Sequence, residues 1–356
     1  MKPMKPARWF ICILIAAGLV AVGYYRWRAQ PSRPGPGSTS NQPSWEASRP
    51  ISVSPGVDPG STNRMSPACL PRVAEILAIL DSGQDSPTGA SFKVGPNGRL
   101  TSTPTRRIAL LEELAQLDPA AAAAASAKIL QSFTQPDEWA VCLRNCARAD
   151  DSPAMRAFVE QKLREMLAHE AWRRDPSVGF LEAFDAVVHI GGTNLMPVMT
   201  EFLRQREDSE RAVAHAAFLT LDRLVINDPV STLRYLEADP AAMSGREVTR
   251  ANYFARADVT DPQQRALVES YLLGQIRTPA ELHAFAGLFP NFNLMISDNL
   301  LTRSATVDGA TIAQRDRAAL QTVEQWLADP RFASLRQHLN VMKGRLEQFT
   351  KGSARQ

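Results

Sequence analysis

The residues best suited to chemistry are three histidines with carboxylates close by in the sequence: His169, His189 and His215. The stretch "HEAWRR" at His169 begins like the zinc-binding helix of a metalloprotease, but Arg173 stands where a second histidine is required. One histidine and one carboxylate on a helix leave a zinc ion two ligands short. The sequence also contains no nucleophile elbow, phosphate-binding loop or dinucleotide fingerprint. We therefore predict no catalytic, cofactor-binding or metal-ligating residue.

The stretch "HIGGTNLMPVM" contains the most site-like glycines, Gly191 and Gly192. A phosphate-binding loop follows a strand and carries a longer glycine pattern, whereas this pair follows an apolar segment with helical spacing. The glycines are therefore predicted to end one helix, and Thr193 or Asn194 to begin the next. His189 continues the apolar periodicity, so we interpret it as a packed or surface histidine and not as a ligand.

Cys142 and Cys146 lie four residues apart on one predicted helix. The interpretation we favour is a pair of small buried side chains, because free cysteine is often found in protein cores. The alternative is a disulfide in an oxidising compartment, with Cys69 as a further candidate partner. The spacing alone does not decide between them.

The elements that would position these residues are predicted to be helices. From Pro67 onward, an Asp, Ser or Thr followed by proline recurs, as expected where a capping side chain precedes the first helical residue. Apolar residues at spacings of three and four follow each pair. The pairs are Thr103-Pro104, Asp118-Pro119, Ser152-Pro153, Asp175-Pro176, Asp228-Pro229, Asp261-Pro262, Thr278-Pro279 and Asp329-Pro330. The sequence predicts an all-α fold with no strand and no hairpin.

Residues 180–224 resemble a HEAT-type helical repeat. In that family, a short glycine-containing turn joins two helices, the second helix carries a proline, and a third helix opens with arginine and an alanine-rich face. The matching positions are Gly191, Gly192, Pro197, Arg211, Ala214 and Ala217. The resemblance implies an irregular α-solenoid of stacked helix pairs, which we extend to residues 67–350, with 351–356 as a disordered tail.

The longest break in the helical pattern runs from residue 289 to residue 311. It carries four apolar residues that look exposed: Phe292, Leu294, Met295 and Ile296. Two interpretations stay open. The segment is either a binding loop or a loop tucked over the end of the helical stack.

Residues 9–25 form an uncharged apolar stretch of seventeen residues. As a helix it would reach about 25 Å, enough to cross a thin hydrocarbon core, and Trp9 and Tyr25 would lie at the two interfaces. We interpret it as an uncleaved signal anchor, with residues 1–8 in the cytoplasm and the folded body outside, on the periplasmic side of a bacterial cell membrane. The alternative is a signal peptide cleaved after Ala21-Val22-Gly23.

Residues 26–66 are rich in proline, serine and glycine, and are predicted to be a disordered tether. Residues 1–66 carry eight basic and two acidic side chains, which leaves 32 basic and 35 acidic side chains in residues 67–356. A nucleic-acid binder would carry its excess positive charge on the folded body. The body has none, so we expect no nucleic-acid partner.

These observations favour a membrane-tethered scaffold that binds a protein or peptide partner through a helical-repeat surface. The alternative is a membrane-anchored enzyme or metal protein whose site assembles from residues distant in sequence, the three histidines among them. A third interpretation inverts the topology and makes the body a cytosolic adaptor.

Overall fold

The computed structural model describes residues 70–204, 210–274, 277–293, 297–303 and 307–353, with side chains to residue 351. The predicted anchor at 9–25, the tether at 26–66 and Cys69 lie outside these residues. Within the described ranges, no helix is both long enough and apolar enough to span a bilayer.

The described residues are mainly helical, which confirms the all-α class. The α-helices are α1 Leu70–Asp81, α2 Arg106–Leu117, α3 Pro119–Ile129, α4 Pro136–Ala149, α5 Pro153–Ala168, α6 Glu170–Arg174, α7 Val178–Glu182, α8 Asp185–His189, α9 Met196–Arg204, α10 Arg211–Asn227, α11 Pro229–Ala238, α12 Glu247–Phe254, α13 Pro262–Leu273, α14 Pro279–Leu288, α15 Gly309–Ala328 and α16 Arg336–Ser353. Short 3-10 helices occupy Pro96–Gly98, Thr193–Leu195, Pro240–Met243 and Pro330–Leu335.

Most of the predicted helix starts lie where the capping pairs place them. The Asp118 side chain accepts from the Ala121 amide at 2.9 Å, and proline follows as the first helical residue. The same arrangement begins α5, α11, α13 and α14, at Ser152, Asp228, Asp261 and Thr278. Each cap satisfies an amide of the first turn that has no partner within the helix.

Two predicted starts are wrong by two residues. The carbonyl of Pro104 accepts from the Thr88 amide at 2.9 Å and is not available to the first turn of a helix, so Thr105 caps α2 instead. The amide of Asp175 donates to the Ala171 carbonyl and closes α6, and Ser177 caps α7. The Ser177 hydroxyl and the Gly179 amide donate to Asp137, which sets the start of α7 at Ser177.

The prediction of no strand is also wrong. Strands β1 (Lys93–Val94) and β2 (Leu100–Ser102) pair antiparallel. Between them, Asn97 (φ +62°) and Gly98 (φ +66°) adopt the left-handed conformation that favours asparagine and glycine in tight turns. At Gly98 a side chain would also clash with the Leu300 carbonyl, so the turn requires glycine for two reasons.

The helices pack mainly on their neighbours along the chain. In the first half α2 packs on α3 and α4, and α4 packs on α5 and α7. In the second half α9 packs on α10, α11 on α13, α12 on α14, and α14 and α15 on α16. A run of buried aromatic rings joins the last helices, with neighbouring centroids 4.0 to 5.9 Å apart: Phe254, Tyr271, Phe285, Phe289, Trp326 and Phe332. Burial of each ring contributes about 2 kcal/mol to the hydrophobic driving force.

Candidate functional site

An aromatic patch lies where α4, α5 and α6 meet, and we define it as Phe133, His169 and Trp172 over the buried Trp139. The Phe133 ring lies parallel to the Trp139 ring with centroids 4.8 Å apart, although Phe133 is 52% exposed. Trp172 contacts both rings edge-on at 5.5 Å, and the His169 ring lies 4.3 Å from Trp172. Aromatic side chains therefore form a continuous surface that begins in the core and ends in solvent.

Local hydrogen bonds hold the patch in place. The indole Nε1 of Trp139 donates to the Ser132 carbonyl at 2.9 Å, which fixes the loop that carries Phe133. At the start of α6, Nδ1 of His169 accepts from the Trp172 amide at 3.4 Å, so the "HEAWRR" histidine caps its own short helix. The rings are thus oriented before any partner arrives, which lowers the entropy cost of binding.

The chain beyond α6 extends this apolar surface. Asp137, in the first turn of α4, accepts from the Gly179 amide at 2.8 Å and from the Ser177 hydroxyl. These bonds hold the start of α7 against α4 and leave Val178 50% exposed. Around the patch the charges are mixed in sign, with an exposed ion pair between Arg174 and Glu170. An apolar centre with a polar, solvated rim is the usual composition of a protein-binding surface.

Tryptophan is among the residue types that dominate binding energy at protein interfaces, and phenylalanine is enriched there; in the patch Phe133 is exposed and Trp172 is half-buried. Covering the exposed half of Phe133 would remove on the order of 100 Å² of apolar area from water, worth about 2 kcal/mol. The patch is therefore suited to an apolar side chain of a partner.

Five arginine–carboxylate pairs, four of them buried, connect a helix with the next but one along the chain. Their members lie 31 to 38 residues apart in sequence: Arg107–Glu138, Arg144–Glu112, Arg223–Asp185, Arg250–Glu281 and Arg256–Asp222. The Arg256–Asp222 pair joins α10 to α12 at 2.6 Å, and the burial there raises the pKa of Asp222 even though Arg256 opposes the shift. Two of the pairs join the same helices, α2 and α4, and the other three connect α8 to α10, α10 to the end of α12, and α12 to α14.

Residues 297–303, which we call the return segment, lie far in sequence from the helices they contact. Asp185 of α8 accepts from the Leu301 and Thr302 amides at 2.7 and 2.8 Å, and Arg148 of α4 donates to the Leu300 carbonyl at 2.6 Å. Leu300 is 1% exposed. This part of the 289–311 break is therefore packed onto the body, against α4 and α8. Leu294, Met295 and Ile296 lie outside the described residues, and Phe292 is half-buried.

The structure places the glycine pair in a turn after α8. Gly191 has φ +70° with open space around it, and a side chain at Gly192 would meet the Val187 carbonyl. The Gly192 amide donates to that same carbonyl at 3.0 Å, which closes the helix end. Pro197 is the second residue of α9 and not a mid-helix proline. It fits there because the first turn of a helix tolerates a residue without an amide hydrogen.

The remaining positions of the repeat lie on α10. Arg211 is its first residue and is exposed. Ala217 is fully buried, while Ala214 is half-buried. The predicted first helix of the repeat is divided into α7 and α8, because the chain bends at Ala183 and Phe184.

The histidines and cysteines do not assemble into a common centre. His169 lies in the aromatic patch, His215 stacks near Phe218, and His189 ends α8. No group of three or more His, Cys, Asp or Glu within the described ranges is arranged to hold a metal ion. Cys142 and Cys146 are free, buried thiols, as the favoured interpretation expected. Burial raises the pKa of Cys146 to about 12 and that of Cys142 well above its ordinary value.

Comparisons with protein families, curated proteins and solved structures find no match to this chain. The candidate site therefore stands on its own geometry. Sequence reasoning missed the aromatic patch because its members come from a loop, α4 and a short helix up to 39 residues apart, where no periodicity connects them. The one available signal was the density of aromatic residues between positions 133 and 172.

Proposed function

We propose that this protein is a membrane-tethered scaffold whose helical body binds a protein partner through the aromatic patch. The observation that carries the proposal is the exposed Phe133 ring, stacked on Trp139 and flanked by Trp172. Single exposed apolar residues are ordinary on protein surfaces, but a cluster of rings that is already oriented and ends in solvent has the features of a binding site. A partner that lays an apolar side chain on the exposed part of the Phe133 ring would cover it.

An irregular α-solenoid, related in architecture to HEAT repeats, is the proposed form of the body. Packing of each helix on its chain neighbours supports this architecture, as do the arginine–carboxylate pairs at 31 to 38 residues. In such an array each layer contacts only the next, and the outer surface is long and open to partners.

The proposed location follows from the N-terminal sequence. An apolar stretch at 9–25 anchors the chain, residues 1–8 stay in the cytoplasm, and the body lies outside it on a tether of residues 26–66. A flexible tether of this length reaches on the order of 35 Å, so the patch can search for a partner near the membrane.

Affinity isolation of the full chain from membranes of the source cells tests the proposal. The double variant Phe133→Ala, Trp172→Ala is compared with the parent and with the control Val248→Ala, Val341→Ala, whose valines are exposed elsewhere on the body. We expect one or a few proteins to co-purify with the parent and the control, and to be depleted at least about tenfold with the patch variant.

Each variant is first checked for an unchanged melting temperature. A partner that the patch variant retains in full would refute a role for the patch. Partners that are lost equally from the patch variant and the control would refute its specificity.

A further inference from the structure

A small cavity of about 160 Å³ opens between α11, α13 and the first residues before α14. Its apolar walls are Leu236, Pro240 and the ring of Tyr271, and its charged walls are Glu237, Arg250 and Arg277. Cavities for drug-sized ligands measure roughly 300–1,000 Å³. This one has room for a single small group.

The charged side chains around the cavity differ in whether they have hydrogen-bond and ion-pair partners. Arg250 is neutralised by Glu281, whose two oxygens accept at 2.7 and 3.1 Å, and Glu281 also accepts from the Tyr271 hydroxyl at 3.0 Å. The Glu237 carboxylate accepts from the Ser270 hydroxyl. Within the described residues, neither carboxylate forms an ion pair or a hydrogen bond with Arg277, although the charges of both act on it from further away.

Arg277 is the unsatisfied cation. Its guanidinium carbon lies 4.7 Å from the centre of the Tyr271 ring, and its Nε and Nη1 are buried without a hydrogen-bond acceptor. Burial lowers the pKa of Arg277, although the nearby carboxylates of Glu281 and Glu237 oppose the shift. The contact with the Tyr271 ring offsets part of the desolvation, while Nε and Nη1 keep their donor capacity for a ligand.

Gly274 makes this position of the guanidinium possible. A Cβ built at Gly274 would overlap Nη2 of Arg277, while the backbone of Gly274 itself is extended and free of strain. Any other residue there would displace the guanidinium from the cavity wall.

We infer that this cavity binds one carboxylate group, with Arg277 as its counter-ion and Tyr271, Leu236 and Pro240 around the adjoining apolar atoms. A carboxylate is planar and matches the guanidinium fork. It also carries a single negative charge, whereas a phosphate dianion would face repulsion from Glu237 and Glu281. The group has two possible sources, the C-terminus of a peptide or an Asp or Glu side chain. The inference does not depend on the aromatic patch.

Calorimetric titration of the full chain in lipid nanodiscs tests this inference with three amino-acid derivatives and with inorganic phosphate. N-acetyl-leucine presents a terminal carboxylate, N-acetyl-glutamic acid α-amide presents a side-chain carboxylate, and N-acetyl-leucinamide is the neutral control. We expect one or both acids to bind weakly, with a Kd on the order of 1 mM, and the amide and inorganic phosphate to bind at least about tenfold more weakly. The acid that binds more tightly identifies the source.

Two variants locate the binding. Arg277→Gln should lose at least about tenfold in affinity while keeping the parent's melting temperature, because it removes an unpaired charge and no hydrogen bond. Gly274→Ala keeps the charge but displaces the guanidinium, and should weaken binding as well. Arg234→Gln, an exposed arginine of α11 outside the cavity, should bind like the parent.

Several results would overturn the inference: no binding of either acid, binding of the amide or of phosphate as tight as that of the acids, or unchanged affinity in Arg277→Gln. Unchanged affinity in Gly274→Ala would overturn the guanidinium position on which it rests.

Discussion

Replacing Asp185 by Asn should detach the return segment from the body at a large cost in stability. The Asp185 carboxylate is almost fully buried, and its Oδ2 accepts from the amides of Leu301 and Thr302. Its Oδ1 accepts from the Thr302 hydroxyl and faces the Arg223 guanidinium at 3.5 Å. Four donors therefore converge on one carboxylate.

The magnitude follows from how many of these donors asparagine can satisfy. Its one oxygen can serve the two amides, but its NH₂ group then points at the Thr302 hydroxyl and at Arg223. The Thr302 hydroxyl can rotate to accept from that NH₂ group, but the negative charge is lost and the NH₂ group faces the donors of Arg223, which keeps no partner on α8. A hydrogen bond to a charged group contributes about 1.5–3 kcal/mol and loss of one member of a buried ion pair costs about 3–5 kcal/mol, so we expect a loss of about 3 kcal/mol.

Urea unfolding of the full chain in mild detergent, followed by tryptophan fluorescence, measures this loss. Limited proteolysis should show faster cleavage within 297–303 in the variant. Asp151→Asn is the matched control, because Asp151 forms an exposed ion pair with Arg156, and solvent screens such a pair so that it contributes little to stability. If Asp185→Asn unfolds within about 0.5 kcal/mol of the parent, the reasoning from converging donors is wrong.

Three further predictions concern the repeat-like region and the core. Ala217→Arg should cost about 4 kcal/mol by forcing a charged side chain into a fully buried contact, while His189→Ala should cost less than about 1 kcal/mol in the same urea titration. Gly191→Ala should cost about 1 kcal/mol, through the positive φ alone, and a melt that matches the parent would contradict it. Cys142 and Cys146 should resist alkylation at pH 8 until the chain unfolds, as mass spectrometry can show. Burial raises the pKa of Cys146 in the folded chain to about 12. The contribution of its buried neutral thiol to the free energy of unfolding is therefore complete below the unfolded pKa of about 8.5 and is lost as the pH rises towards 12.

The sequence predicted those elements whose signals are local. A cap such as Asp118 and its proline act within one turn, so most helix starts were readable from the capping pair alone. The β1–β2 turn also left a local signal, the Asn97-Gly98 pair, but strands of two and three residues are too short to show alternation.

Features made by distant residues could not be predicted in this way. Asp185 and Leu301 are 116 positions apart, and the Phe133 and Trp172 rings meet only because two separate hydrogen bonds fix a loop and a short helix. Nothing in the sequence distinguishes Arg277 from an ordinary surface arginine, because its position over the Tyr271 ring depends on the packing of helices. Each of these contacts depends on how whole helices pack, which short-range sequence patterns do not report.

Site-specific photo-crosslinking in the source cells tests the central claim most directly. A photoreactive phenylalanine analogue replaces Phe133 in the full chain, and the same analogue at Val341 serves as the exposed control. The account predicts a discrete crosslinked protein at position 133 that is absent at position 341 and that disappears when Trp172→Ala is added. Crosslinks that are equal at both positions, or none at position 133, would contradict the assignment of the aromatic patch as the partner-binding surface.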